Sequence, residues 1–244
     1  MVYHTSMPWQ IEELSECEST FNEARRRPAW WVVSAIRQTN GRGRFNRTWF
    51  GEPGGLWATY NVPIDPALPV HWGLLPLVAG VAIMRALRPF SIEGLRLRWP
   101  NDVLVGRSKL AGILVERPAE RLASIGIGIN VYNDVQSLAP RVQDPPARLA
   151  DLASPCPAVA DLRDRLAAAI EDTCHHFAQG GLPALAPDLA SAWGGHRSVE
   201  IITDEGSIFG IFEGISEDGS PILRQADGAL RTVPGISVNR MKER

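Results

Sequence analysis

The sequence predicts an α+β protein: a mainly antiparallel sheet with flanking helices, then a small SH3-like β-barrel. Three observations carry this expectation. Strand-like runs recur at hairpin spacing as far as Tyr132. Leu162, Leu166, Ile170 and Phe177 return with helical period. Beyond Gly194-Gly195 the chain breaks into short strands divided by Asp-Gly turns.

Each element follows in order. Thr20 and Glu23 have capping-box spacing, so a helix is expected to start at Ser19 or Thr20 and to run to Arg26. Residues 30–36, aromatic and β-branched, predict a buried strand, and 56–62 a second one after Gly54-Gly55. Residues 73–87 predict a helix that Pro89 stops. Residues 95–99 alternate Leu with Arg and end at Pro100. Residues 102–105, 110–116 and 122–132 predict three more strands, turning at Arg107-Ser108 and at 117–120. A helix is expected from about Asp161 and a short one ending near Trp193. The terminal strands fall at 198–203, 208–216, 221–225, 229–233 and 236–239, so the expected units are 1–194 and 195–244.

Composition narrows the function. A chain of 244 residues buries an adequate core without staples. A net charge of −2 provides no global basic field for nucleic acid. Cys17, Cys156 and Cys174 are odd in number and widely spaced, which indicates neither a disulfide framework nor a zinc site and fits a reducing cytoplasm. Residues 1–13 are acidic with no apolar run, unlike a signal peptide. The apolar stretch 72–84 is too short to span a bilayer.

The chemistry concentrates in four segments. Between the first two expected strands lies Gln38-Thr-Asn-Gly41-Arg42-Gly43-Arg44-Phe45-Asn46-Arg47. Gly41 and Gly43 permit positive φ and close backbone approach, and Arg42, Arg44 and Arg47 offer planar forks for phosphate or carboxylate. The alternative is a solvated basic loop. Ser19-Thr20 place hydroxyls and free N–H groups at a helix start, as a ligand contact or as an ordinary cap. Asn101-Asp102 precede Lys109, which heads an apolar run and can reach a phosphate or a reacting carboxylate. Gly112 then leaves a gap where a ligand can lie flat, or it marks a bulge. Gly126 and Gly128, two apart, expose a strand face without side chains and lead to Asn130.

In sequence order, Ser-Thr, Gln-x-x-Gly-Arg-Gly-Arg, Trp-Pro-Asn-Asp, Lys-Leu-Ala-Gly-Ile-Leu-Val-Glu and Gly-Ile-Gly-Ile-Asn-Val resemble the biotin–protein ligases. The likeness runs from Ser19 to Val131 and continues more loosely through Gly210, 213–215 and Asp218-Gly219. It is to the monofunctional form without an N-terminal DNA-binding domain, a ligase that binds no DNA. The resemblance implies a biotin/lipoyl ligase-like catalytic domain with a mixed sheet. It implies ATP-dependent attachment of biotin, through biotinyl-5'-AMP and with Mg²⁺, to a lysine of a biotin carboxyl carrier domain. It implies biotin contacts at Ser19, Thr20, Phe21, Gln38, Gly41, Arg42, Gly43, Arg44, Lys109, Gly112, Gly126 and Gly128. It implies nucleotide contacts at Arg42, Arg44, Arg47, Asn101, Asp102, Lys109 and Asn130, with Lys109 and Arg44 catalytic. It names no metal ligand and leaves a homodimer open. Phe21 stands where the family has Asn, Phe45-Asn46 where it has Arg-Gly, Gly51-Glu52 where it has Ser-Pro, and Arg98 where it has Lys. Two other readings remain: a lipoate or octanoate ligase, and a biotin or nucleotide sensor without catalysis. The barrel supplies none of the matched ligand segments, so the core is expected to form the adenylate without it.

Overall fold

Period-two runs of branched and aromatic residues assemble the first sheet. The computed structural model describes residues 9–64 and 72–244, so part of the acidic N-terminal stretch lies outside the described residues. The chain runs β1 (Gln10–Cys17), α1 (Thr20–Ala24), β2 (Trp31–Arg42), β3 (Thr48–Gly51), β4 (Leu56–Pro63), α2 (Leu75–Leu87), β5 (Leu95–Arg98), β6 (Asp102–Val105), β7 (Ser108–Ala119) and β8 (Leu122–Ile129). The strands lie in the order β1-β2-β4-β8-β7-β6-β5, with β3 paired to β2. β1 is parallel to β2 and the other pairings are antiparallel, so the sheet is mixed and mainly antiparallel. After α3 (Val159–Gly180) and α4 (Ala186–Ala192) come β9 (Arg197–Thr203), β10 (Gly206–Ile215), β11 (Pro221–Arg224), β12 (Leu230–Thr232) and β13 (Arg240–Glu243). These form a separate antiparallel sheet in the order β12-β11-β10-β9-β13.

One face of the large sheet carries the core. Tyr60, Val62, Ala111, Ile113, Ile125, Ile127 and Ile129 pack there with residues of α2 and α3. α2 is buried nearly all round, as a helix enclosed by other elements must be. The opposite face receives α1. Asn61, buried on β4, donates through Nδ2 to the carbonyls of Ala24 at 2.8 Å and Arg27 at 2.9 Å, while Ser124 Oγ donates to its Oδ1 at 2.7 Å. That pins the C-terminal end of α1 to the sheet and leaves its N-terminus over β2.

Several expectations are corrected. The Thr20–Glu23 capping box does not form. Ser19 is the cap residue without a side-chain bond, and Gln38 Oε1 accepts from Thr20 N at 2.8 Å instead. α1 ends at Ala24 rather than Arg26, and β8 at Ile129 rather than 132. The strand expected at 236–239 is a 3-10 turn, Gly235–Ser237, with the strand following at Arg240–Glu243. β1 is an element the sequence reading assigns to nothing, since Glu12, Glu13 and Glu16 interrupt any strand-like apolar pattern. Those carboxylates are met by Arg27, Arg163 and Arg37 from other elements.

The C-terminal sheet is less independent than its composition implied. Glu243 of β13 makes a two-pronged ion pair with Arg96 of β5, and both are largely buried. Trp99 Nε1 donates to the Gly219 carbonyl at 2.8 Å. Removing the sheet would strip Arg96 of its carboxylate, leaving its bond to the Gly106 carbonyl, and Trp99 Nε1 of its acceptor. Glu243→Ala isolates that dependence: it is expected to cost roughly 3–5 kcal/mol of unfolding free energy. Urea titration reads it, and a loss below about 1 kcal/mol, the range of an exposed pair, would mean the sheet is not anchored there.

Candidate active site

α1, β2, β3, β7 and the turns around them enclose a cleft of about 440 Å³. Its inner end is polar. Thr20 Oγ1 lies 3.1 Å from Gln38 Oε1 and 2.8 Å from Thr59 Oγ1. Ser19 Oγ is buried beside them, without a hydrogen-bond partner among the described residues. Leaving such a group unsatisfied costs roughly 1–3 kcal/mol, a cost that a polar ligand arriving there would relieve.

The floor is built from glycines in register. Gly112 of β7 pairs with Gly128 of β8, and Gly126 lies across from Thr59. The strip is not bare. A Cβ on Gly112 would stand 2.7 Å from Trp49 Cζ3, one on Gly128 2.5 Å from Trp49 Nε1, and one on Gly126 2.3 Å from the Phe21 ring. In this structure two aromatic rings, which glycine alone admits, lie over the strip. Trp49 Nε1 is buried there, also without a partner among the described residues.

The glycines of the arginine loop act differently from expectation. Neither Gly41 nor Gly43 has positive φ; Phe45 (φ 56°) and Asn46 (φ 57°) do. Two adjacent residues in that region cost on the order of 1–3 kcal/mol each, and Asn is among the residues that tolerate it best. Gly41 instead allows close approach, since a Cβ there would lie 2.4 Å from the Trp49 carbonyl oxygen.

The cations converge on this cleft. Arg42 pairs with Glu116 at 2.9 Å and lies over the Phe21 ring at 5.1 Å. Arg44 Nη1 donates to Asn101 Oδ1 at 3.3 Å, and Asn101 Nδ2 donates to the Ile113 carbonyl at 2.9 Å. Burial lowers the Arg44 pKa and nearby Arg47 adds to this, against the pull of Asp102; a guanidinium still keeps its charge. Lys109 Nζ sits 2.5 Å from Asp102 Oδ1 and 5.3 Å from the Trp49 ring centre.

Behind Lys109 lies a buried charge cluster. Arg98 reaches Asp102 Oδ2 at 2.6 Å and the two Asp144 oxygens at 3.0 and 2.7 Å. Arg240 of β13 stands 3.5 Å from Asp144. Burial alone would raise the Asp102 carboxyl, but the charges and hydrogen bonds of Lys109 and Arg98 hold it below the usual carboxylate range. Asp144 follows the same logic, with Arg98 the main counterweight to burial. Burial also pulls Arg98 down, yet its two carboxylates carry it above its ordinary value. One guanidinium serving two carboxylates is something a lysine ammonium does less well, which explains arginine at this position.

The structure brings together along the cleft lining Ser19, Thr20, Phe21, Gln38, Arg42, Gly43, Arg44, Arg47, Asn101, Asp102, Lys109, Gly112, Gly126 and Gly128. Gly41 and Asn130 do not line it. Asn130 Nδ2 donates to the Ala147 carbonyl at 3.0 Å and so ties down the segment that carries Asp144. Sequence reasoning missed Trp49, Arg141, Asp144 and Arg240, which also line the cleft. Trp49 follows the arginine loop closely, so its proximity was a usable signal. The other three sit in segments read as loop or barrel.

A biotin/lipoate A/B protein ligase family model matches residues 17–131, and a biotin protein ligase C-terminal domain model matches 197–235. The chain is 32% identical over 222 residues to a biotin--[acetyl-CoA-carboxylase] ligase of Paracoccus denitrificans, covering 85% of this chain and 89% of that one. The chain belongs to the biotin protein ligase family. Its match to a bifunctional ligase/repressor of Bacillus subtilis (strain 168), 32% identical over 152 residues, covers 59% of this chain but only 44% of that longer family member. A biotin protein ligase from Aquifex aeolicus, solved in complex with biotin and ATP, superposes with a TM-score of 0.84 at 24% identity. That comparison covers 96% of this chain and 99% of the other, and shows that this family member shares its fold.

Arg98→Lys restores the residue of the family pattern and tests the cluster. It is expected to lose about 1–3 kcal/mol of stability at pH 7, because Asp102 or Asp144 is left short of a donor. Both carboxyls have depressed folded pKa values. Their contribution is therefore complete above the unfolded carboxylate pKa of about 4 and is lost as pH falls through the folded values. The gap between wild type and variant should narrow in acid. Urea titrations at pH 7 and pH 3 check both points.

Proposed function

We propose that this protein activates biotin with ATP and transfers it from biotinyl-5'-AMP to a lysine of a biotin carboxyl carrier domain. The observation that carries the reading is one cleft lined by polar Ser19, Thr20 and Gln38, aromatic Phe21 and Trp49, and the cations Arg42, Arg44, Arg47 and Lys109. The Paracoccus denitrificans relative, named for acetyl-CoA carboxylase, supports the carrier as acceptor.

The roles follow from chemistry. A ureido group has two N–H donors and one carbonyl acceptor, which suit Ser19, Thr20 and Gln38. Phe21 and Trp49 offer apolar faces to the fused rings and acyl chain. The biotin carboxylate must then attack the α-phosphate, an anion meeting an anion. Lys109 and the loop arginines offset that repulsion and stabilise the charge that grows on the phosphoryl oxygens. Pyrophosphate leaves and the mixed anhydride forms. The loop over the cleft excludes water from it. A carrier lysine attacks the acyl carbon as a neutral amine; the C–N bond forms, the bond to AMP breaks and a proton is released.

Among the described residues no group of three or more His, Cys, Asp or Glu is placed to hold a metal. Asp102, Asp144 and Glu116 are already paired with Arg98, Lys109, Arg240, Arg42 and Arg25. Mg²⁺ would enter on the ATP phosphates with several of its waters, where it would offset phosphate charge.

A lipoate or octanoate ligase is the second reading, because the Phe21 ring over Gly126 makes the pocket wall more apolar. One experiment separates them: incubate the protein with ATP, Mg²⁺, a biotin carrier domain and either biotin, lipoate or octanoate, then weigh the carrier. A biotin adduct alone is expected, and an adduct only with lipoate or octanoate would overturn the assignment. Lys109→Ala should slow single-turnover adenylate formation by about a hundred- to thousandfold, roughly 3–4 kcal/mol, with the fold checked by a thermal melt. A rate above a third of wild type would refute its role. Arg44→Ala should release more adenylate to solvent, measured as free AMP made without carrier. No rise relative to carrier ligation would mean that the loop does not retain the intermediate.

A further inference from the structure

Phe45 lies at the tip of the loop between β2 and β3, 55% exposed. A large apolar side chain there, on a residue in the left-handed region (φ 56°, ψ 40°), serves no core. Its ring does have neighbours. The Arg44 guanidinium carbon is 4.9 Å from the ring centre and that of Arg47 is 5.9 Å away. Two backbone bonds, Gly43 N to Arg47 O at 2.8 Å and Arg47 N to Arg44 O at 3.2 Å, fold the loop into a tight turn around it. Among the described residues neither guanidinium forms an ion pair with a carboxylate. The turn thus gathers two like charges; Arg44 is also held by Asn101 Oδ1 at 3.3 Å, and the electron-rich face of Phe45 is the one group on the turn that meets both guanidinium groups.

The second position where this chain has Phe in place of a polar family residue behaves alike. Phe21 lies 5.1 Å under Arg42, the remaining arginine of the loop. Where the family pattern has Arg followed by Gly, this chain has Phe45 and Asn46. Asn46 keeps the positive φ that glycine would take, so the turn is preserved while one cation is exchanged for a ring.

We infer that Phe45 is a positioning residue: its ring holds Arg44 and Arg47 in their phosphate-gripping arrangement before nucleotide arrives. The phosphate part rests on the ATP-dependent reading above; the ordering of the loop does not. Without the ring, Arg44 and Arg47 repel and the turn opens, and ATP binding must then supply the ordering.

The test uses the full chain without ligand. Trypsin cleaves after Arg44 and Arg47, and mass spectrometry times each cut. Phe45→Leu keeps an apolar side chain that is not β-branched and removes the ring; Phe45→Trp keeps a ring. Phe45→Leu should speed both cuts at least fivefold and weaken ATP, titrated by calorimetry with biotin present, about tenfold. Phe45→Trp should stay within twofold of wild type in both. Cleavage unchanged in Phe45→Leu, or equally faster in Phe45→Trp, overturns the inference. Faster cleavage with unchanged ATP affinity refutes the link to phosphate. If biotin is not the substrate acid, the cleavage arm still reads the ring, so the two failures are distinguishable.

Discussion

The rest of the site depends on one buried carboxylate. Asp102, the first residue of β6, holds Lys109 from β7 and Arg98 from β5. Arg98 binds Asp144 from the segment after β8, and Asp144 meets Arg240 from the C-terminal sheet. Burying such charges is expensive, and the cluster is tolerable only because each member has several partners. It joins both sheets and leaves three cations against two carboxylates. That surplus positive charge sits beside Lys109, in the lining of the cleft.

Around this anchor the molecule handles cations in two ways. Those that fix the architecture, Arg96 and Arg98, are buried against carboxylates. Those lining the cleft near the loop rest on aromatic rings: Arg44 and Arg47 on Phe45, Arg141 on Phe50 at 4.0 Å. A ring attracts a guanidinium without neutralising it, so these forks remain available to phosphate. Arg42 and Lys109 combine a ring with a carboxylate. The glycines of β7 and β8 are the complement of this arrangement, since only they leave depth for Trp49 and Phe21 to lie against the sheet.

Much of this was legible in the sequence, for physical reasons. Strands buried on one face and helices with an apolar stripe announce themselves by period, as 56–62 and 162–177 did. Lys109, Gly112, Gly126, Gly128 and the arginine loop stood out as residue types at odds with ordinary strand composition. What stayed hidden depended on distant partners. β1 carries glutamates that interrupt any strand-like apolar pattern, and only the fold brings Arg27, Arg37 and Arg163 to meet them. The Thr20–Glu23 spacing invited a capping box, yet Gln38, eighteen residues on, took the bond. Asp144 and Arg240 carry no local signature; only the fold places them beside Lys109. The glycine floor was foreseen, but its tenants were not, because no local rule says which side chain fills a gap.

The central claim is that this cleft joins a biotin carboxylate to the α-phosphate of ATP. Isotope exchange between pyrophosphate and ATP tests that step alone, without a carrier protein. The account expects exchange that requires biotin and stays at background with lipoate or with no acid. Exchange that is absent with biotin, or equally fast without any acid, would contradict it.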